Sequence, residues 1–507
     1  MSVRRAFLAA ALAAFALAAR AAESATPIVV EVYHTNDVHG WIMPRPDKRD
    51  PSRQVGGAAA LKALLSHDTA AKLVLDAGDW WQGTPEGTLS KGESVAEVFN
   101  AVGYDATEVG NHEFDAGADA LRALIGKMRM PVLAANVYGP DGKRVPWTRP
   151  HVIKTVAGVK FGIFGLLTVH MDKLAFPKSI AGLTFRREVD EARDQVAALR
   201  KEGADVIIAV THVGYEAPDK PPFEGDQTIA REVEGIDLIV GGHSHTALAK
   251  AWRDPAHGTL VVQAGSYLTQ VGRTTLSIDP ATRRVSASSD ELLDLRPELG
   301  EDAAVKAIVD RRAAEVGVAF ALVVATAAAD MNRGAPAAES PIGSWMADCY
   351  KEATGADVAF QNGGGIRADM PAGPVTLRRI FSVMPFDNEL VKLRMTGAQV
   401  RSALDHGVAA ARRIQSAGIG AEYRRAAPRH ERVVSATVGG APLDDAKTYS
   451  VATLDFLVMG GDGYDEFGAA ASREPTGLLA RDVLAACARK QKTILPPPSG
   501  RLKSLGG

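Results

Sequence analysis

The chain has 507 residues, 46% hydrophobic and 23% charged, with a net charge of -2. That length exceeds one ordinary core and implies two domains, and the composition is that of a soluble globular protein. Near-neutrality excludes a global field for a nucleic-acid polymer, so any phosphate-binding charge has to be local.

In chain order, Arg4 and Arg5 precede an apolar run at 6–19, and small residues follow at Ala19 and Ala21. This reads as a cleaved signal peptide over residues 1–21. The run is shorter than the roughly 20 residues that span a bilayer, so no membrane anchor is expected. The arginine pair resembles a twin-arginine export motif. A periplasmic or secreted protein follows. β-Branched and apolar runs at 28–33, 72–75, 131–134, 160–166, 206–210, 238–240 and 260–263 read as strands. Helical periodicity at 55–67, 92–102 and 189–202 alternates with them, which defines an α/β domain. A charged, alanine-rich stretch at 301–316 predicts an interdomain helix. A second α/β region starts near Phe320, with helices at 342–354 and 397–411 and glycine-rich segments at 361–367 and 459–464. The two cysteines, Cys349 and Cys487, either pair in an oxidising compartment or stay as separate buried thiols.

Seven candidate metal ligands fall at the ends of the apolar runs of the first half: Asp37, His39, Asp79, Asn111, His212, His243 and His245. Carboxylate and amide oxygens with imidazoles suit Mn, Zn, Co or Fe, and one carboxylate can bridge two such ions. Asp37 and His39 form a D-x-H pair that is common by itself, and an isolated Gly78-Asp79 is most simply a turn. The GNHEFD segment is more specific. Asn111 offers an amide oxygen or a helix cap, and Asp115 can orient and protonate His112. His243 and His245 behind paired glycines point to a shared site.

Together, D-x-H, G-D, GNHEFD, T-H and GHSH resemble the calcineurin-like metallophosphoesterases. NGGGIR at 362–367, MPF at 384–386 and GGDGY at 460–464 resemble the C-terminal domain of 5′-nucleotidases. The resemblance covers nearly the whole mature chain. It implies a metallophosphoesterase β-sandwich flanked by helices over 27–296, a linker helix over 297–319 and a C-terminal α/β nucleotide-binding domain over 320–507. It implies one metal on Asp37, His39 and His245, another on Asn111, His212 and His243, and Asp79 between them. His112 and Asp115 match the catalytic dyad. Asn362, Gly365 and Arg367 fall on the phosphate- and ribose-side loop, Phe386 and Phe456 match the base-stacking rings, and Asp462 matches the ribose carboxylate. Judged by residue chemistry alone, core packing explains both phenylalanines almost as well, and Asp462 fits a turn. The chain departs from the pattern at Pro336, where relatives carry an arginine; Arg333 lies nearby.

The expected function is hydrolysis of a small-molecule nucleotide, releasing phosphate and nucleoside, with two divalent metal ions activating a hydroxide to attack phosphorus. A 2′,3′-cyclic nucleotide phosphodiesterase or UDP-sugar hydrolase is the alternative on the same scaffold, with a sulfur-oxidation thiosulfohydrolase or a nonenzymatic nucleotide binder further off.

Overall fold

In the computed structural model, which describes residues 26–506 except 48, 51, 217–223, 336–337 and 411, the apolar runs of the first half assemble into two six-stranded sheets. The signal segment and Pro336 lie outside the described residues. In the first sheet, Ile28–Thr35 pairs antiparallel with Gln270–Ile278 and parallel with Lys72–Asp76, and Ala106–Glu108 and Val132–Leu133 continue the parallel run. In the second, Val159–Leu167, Val206–His212, Leu238–Gly241 and Leu260–Val262 run parallel.

Period-two alternation packs the sheets face to face. Val30, Val32, Leu73 and Leu75 of one sheet meet Phe161, Ile163, Val206, Ile208 and Val240 of the other in one buried cluster. The opposite faces are covered by helices. Ile207 and Ala209 bury against Val189, Ala192 and Leu199 of helix Glu188–Lys201. Helices Ala58–His67 and Glu93–Val102 cover the first sheet, and Val305 and Val309 of helix Ala303–Val316 join their cluster. Both faces of the parallel strands are therefore dry, which is why these strands read as continuous apolar runs. The fold is mixed α/β: a sandwich flanked by helices, followed by a second α/β domain.

That second domain is built on a five-stranded sheet centred on Thr448–Leu454, between Val358–Gln361 and Glu389–Thr396. Cys349 of helix Pro341–Thr354 and Cys487 of helix Ala480–Gln491 form a disulfide, which settles the open pairing. Replacing Cys487 with serine is expected to lower unfolding stability by about 2–5 kcal/mol, because the bond closes a long loop. A guanidinium-chloride midpoint equal to wild type would contradict this.

The helix expected at 55–67 starts only at Ala58. Gly56 and Gly57 stand at φ 87° and 100°, and Val55 pairs with Arg45 in a short ribbon.

Candidate metal centre and substrate cleft

The parallel strands end at one level: Thr35 is paired with Asp76, Leu167 with His212 and Thr211 with Gly241. The loops that leave these ends carry the polar residues and bend sharply. Asp37, His39, Asp79, His243 and His245 all have left-handed backbones, with φ between 50° and 71°. Such conformations are costly outside glycine and cluster where function fixes them. Gly78 precedes Asp79 at φ 86°, and a Cβ there would lie 2.7 Å from the Gly110 nitrogen. A Cβ on Gly110 would lie 2.3 Å from Asp79 Oδ1. Glu113 locks this crossing. Its carboxylate accepts from the backbone nitrogens of Asp79 (2.9 Å), Trp80 (2.8 Å) and Gly110 (2.8 Å). That is the structural reason for the glutamate in GNHEFD, which the sequence reading leaves without a role. Asn111 opens a short helix, Asn111–Phe114, whose cap position is Gly110, so the cap alternative for Asn111 does not hold.

All seven candidate ligands lie in one pocket. Asp37, His39 and His245 form one group with ligand atoms within 4.8 Å of one another, and Asp79, His212 and His243 form a second. His245 Nε2 is 3.1 Å from both Asp37 Oδ1 and His39 Nε2. Asp79 Oδ2 lies 3.2 Å from His212 Nε2 and 3.6 Å from His39 Nε2, so it faces both groups. Asn111 Oδ1 is 2.9 Å from His243 Nδ1. The far ring nitrogens are held by carbonyls: His39 Nδ1 by Gln82 at 2.7 Å and His212 Nδ1 by Ala77 at 2.6 Å. Such outer contacts fix the tautomer that presents Nε2 to a cation.

The donor set fits two divalent cations. Asp37 Oδ1 and His212 Nε2 are buried without a hydrogen-bond partner, yet each sits close to another ligand atom. Buried polar atoms are seldom left so, and atoms that converge on one ion show this crowding. Burial lowers His243 to about 3, with His212 adding to the effect. Burial acts the same way on His212, but Asp79 and Asp37 override it and raise that imidazole to about 10.

His112 belongs to neither ligand group. Its Nδ1 is 2.9 Å from Asp115 Oδ2, and its ring lies between those of His39 (5.4 Å) and Phe386 (5.7 Å). Burial disfavours its charged form, but Asp115 and Asp79 outweigh it and raise the pKa.

The second domain closes over this pocket. Arg367 Nη2 lies 2.8 Å from His39 Nε2, and its guanidinium sits 5.9 Å from the Phe386 ring. Asn362 Nδ2 donates to Asp462 Oδ2 at 2.6 Å, and Asp462 takes a turn-type φ of 52°. A Cβ on Gly365 would lie 2.6 Å from Gln361 Nε2 and 2.7 Å from Asn362 Oδ1, so any side chain there displaces these two amides. Phe456 lies on Gly461 and meets Phe176 of the sandwich edge-on at 5.9 Å. Arg333 is brought to Arg367, donating to its carbonyl at 3.3 Å. Among the described residues the Phe386 and Phe456 rings do not touch each other.

Three residues here escape the sequence reading. Tyr267, at φ 63°, sets its ring 5.6 Å from His39 and 5.4 Å from His245. The one signal for it is its place just after strand Leu260–Val262, like the ligands after theirs. Phe176, and Arg412 beside Gly363 of the Arg367 loop, carry no comparable signal.

A helix-flanked sandwich with two groups of imidazole and carboxylate ligands at its strand ends defines a metallophosphoesterase, a hydrolase. Residues 30–247 match the calcineurin-like phosphoesterase family and residues 322–469 the 5′-nucleotidase C-terminal domain. With both domains in this order, the chain belongs to the 5′-nucleotidase family of metallophosphoesterases. It is 29% identical to Protein UshA of Yersinia enterocolitica, covering 90% of each chain. It is 29% identical to the snake venom 5′-nucleotidase of Gloydius brevicauda, covering 93% of this chain and 88% of that one. Among solved structures it resembles a 5′-nucleotidase precursor of Thermus thermophilus, with a TM-score of 0.86, 29% identity and coverage of 94% and 99%.

Proposed function

We propose that the protein is an exported nucleotide phosphohydrolase that releases phosphate and nucleoside. The observation that carries this reading is Arg367, which reaches His39 from the same loop whose Asn362 donates to Asp462. Phosphate chemistry and a nucleoside pocket thereby share one cleft.

Asp37, His39 and His245 would hold one divalent cation (Mn, Zn, Co or Fe), Asn111, His212 and His243 the other, with Asp79 shared. Bound there, such cations acidify water and neutralise phosphoryl charge. His112, kept protonated by Asp115, donates from Nε2 to the oxygen on which negative charge grows. Arg367 offers a planar fork to the phosphoryl group, and Arg333 supplies the cation that Pro336 cannot. Phe386 and Phe456 hold the base, and Asp462 accepts from a ribose hydroxyl. The Cys349–Cys487 disulfide and the leader at 1–21 support an oxidising compartment. No helix among the described residues is long and apolar enough to cross a membrane.

A hydrolysis panel tests this, each substrate with Mn, Zn, Co or Mg: phosphate release from AMP and ATP, phosphomonoester products from UDP-glucose and 2′,3′-cyclic AMP, and sulfate release from a thiosulfate conjugate. Metal-dependent release from AMP supports the reading, and turnover of the thiosulfate conjugate alone overturns it. Replacing both Phe386 and Phe456 with alanine is expected to lower the kcat/KM ratio of AMP to p-nitrophenyl phosphate about 10- to 100-fold, the usual size of a lost base stack. An unchanged ratio would remove the stacking role.

A further inference from the structure

Three guanidinium groups of the second domain arrive at Tyr267 from separate segments. Arg333 follows strand Val323–Ala327, Arg367 follows Val358–Gln361, and Arg412 follows helix Gly397–Ala409. Tyr267 Oη and Arg333 Nη1 donate to the same carbonyl, that of Arg367, at 3.2 and 3.3 Å. Arg412 flanks the same loop, since a Cβ on Gly363 would come within 2.9 Å of its own Cβ. Among the described residues the Arg412 side chain has neither a hydrogen-bond nor an ion-pair partner. The Nε atoms of Arg333 and Arg367 are buried and unpartnered. Burial, then Arg333 and Arg367, push Arg412 down to about 10, and no carboxylate offsets them. Arg45 also faces Tyr267, but it lies over the Trp41 ring at 4.5 Å and has Asp369 nearby, so it is satisfied from another side.

Arg412 is half-buried with its guanidinium open to solvent, and Asp369 accepts from the backbone nitrogen of Arg333 rather than from Arg412. Like charges gathered this closely repel one another unless an anion joins them. One scissile phosphoryl group does not need them all, because the cation pocket and Arg367 already face it. The loop also supplies a direction. It begins at Asn362, bonded to Asp462 on the nucleoside side, and ends at Arg367, bonded to His39 on the cation side. Arg412 stands beside Gly363, between these ends.

We propose that Arg412 binds a second anionic group of the substrate, a phosphate between the scissile one and the ribose, and so admits nucleoside di- and triphosphates, which lose their terminal phosphates stepwise until the nucleoside is left. The substrate part rests on the nucleotide reading above, whereas binding of an additional phosphate by Arg412 does not.

Calorimetric titration of Mn-loaded wild type, R412A and R412K with inorganic phosphate and with pyrophosphate separates the two. Pyrophosphate affinity is expected to fall about tenfold or more in R412A relative to any change for phosphate, the usual effect of losing a charged hydrogen-bonding partner. R412K, which keeps a point charge but not the fork, is expected to fall between, and it carries the test alone should R412A fail to fold. In kinetics the ADP-to-AMP ratio of kcat/KM is expected to drop by the same factor. Equal losses for phosphate and pyrophosphate, or none for either, overturn the assignment. If no nucleotide is hydrolysed but pyrophosphate binding still depends on Arg412, the nucleotide reading falls and the anion site stands.

Discussion

Replacing His112 with alanine is expected to lower kcat about 10²- to 10³-fold, the cost of removing one preorganised donor from a developing anion, with metal content near that of wild type. The argument rests on where the imidazole stands. Its Nδ1 is engaged by Asp115, and it lies outside both groups of crowded ligand atoms. Its hydrogen bond to the ligand set is made by the backbone nitrogen, which donates to Asp79 Oδ1 at 2.9 Å, and alanine retains that bond. Asp115→Asn is expected to cost less, because the amide still orients the ring while favouring the charged form less. Turnover with p-nitrophenyl phosphate, measured beside elemental analysis of the bound metal, decides the matter. Loss of metal in the His112 variant would make this residue a ligand and overturn its role as a donor.

The ligand pocket was legible because chemistry and topology repeat together. Asp37, Asp79, Asn111, His212 and His243 each end or follow a parallel strand, so a search for polar residues after apolar runs finds them. Other parts of the first sheet gave no such signal. Strand Ala106–Glu108 is three residues long and ends in a buried glutamate. The hairpin Gln270–Ile278 with Val285–Asp294 has no continuous apolar run, because its residues alternate between buried and exposed faces, and a search for such runs passes over it. The Cys349–Cys487 bond joins helices 138 residues apart, a distance that no local pattern reports. Arg412 lies next to Arg413 after a helix, where a basic pair looks like a solvated face. Only the fold of the second domain places it against the loop of Arg367. Contacts between domains are the least visible of all. The buried Glu86 pairs with Arg378 across the seam, and Phe176 meets Phe456, each joining residues with no shared motif.

Asp79→Asn is expected to abolish tight binding of the second cation and to reduce turnover by about 10³-fold or more. Shared cation charge contributes several kcal/mol to a phosphoryl transition state, and each 1.36 kcal/mol is about a factor of ten in rate. The substitution keeps size and tolerates the left-handed backbone at φ 57°, so the turn at Gly78 and its ties to Glu113 survive. What changes is the edge that faces both ligand groups. In wild type a carboxylate oxygen stands 3.2 Å from His212 Nε2 and 3.6 Å from His39 Nε2. An amide there has one acceptor instead of two and no net charge, and its NH₂ would face either the two ligand groups or the backbone N–H of His112. Calorimetric titration of metal-free protein with Mn²⁺ reads the outcome, with two sites expected in wild type and at most one of comparable affinity in the variant. Circular dichroism that matches wild type excludes unfolding as the cause. Two undiminished sites in the variant would show that the groups around Asp37 and His212 fill independently, and the carboxylate would then have no bridging part in the chemistry.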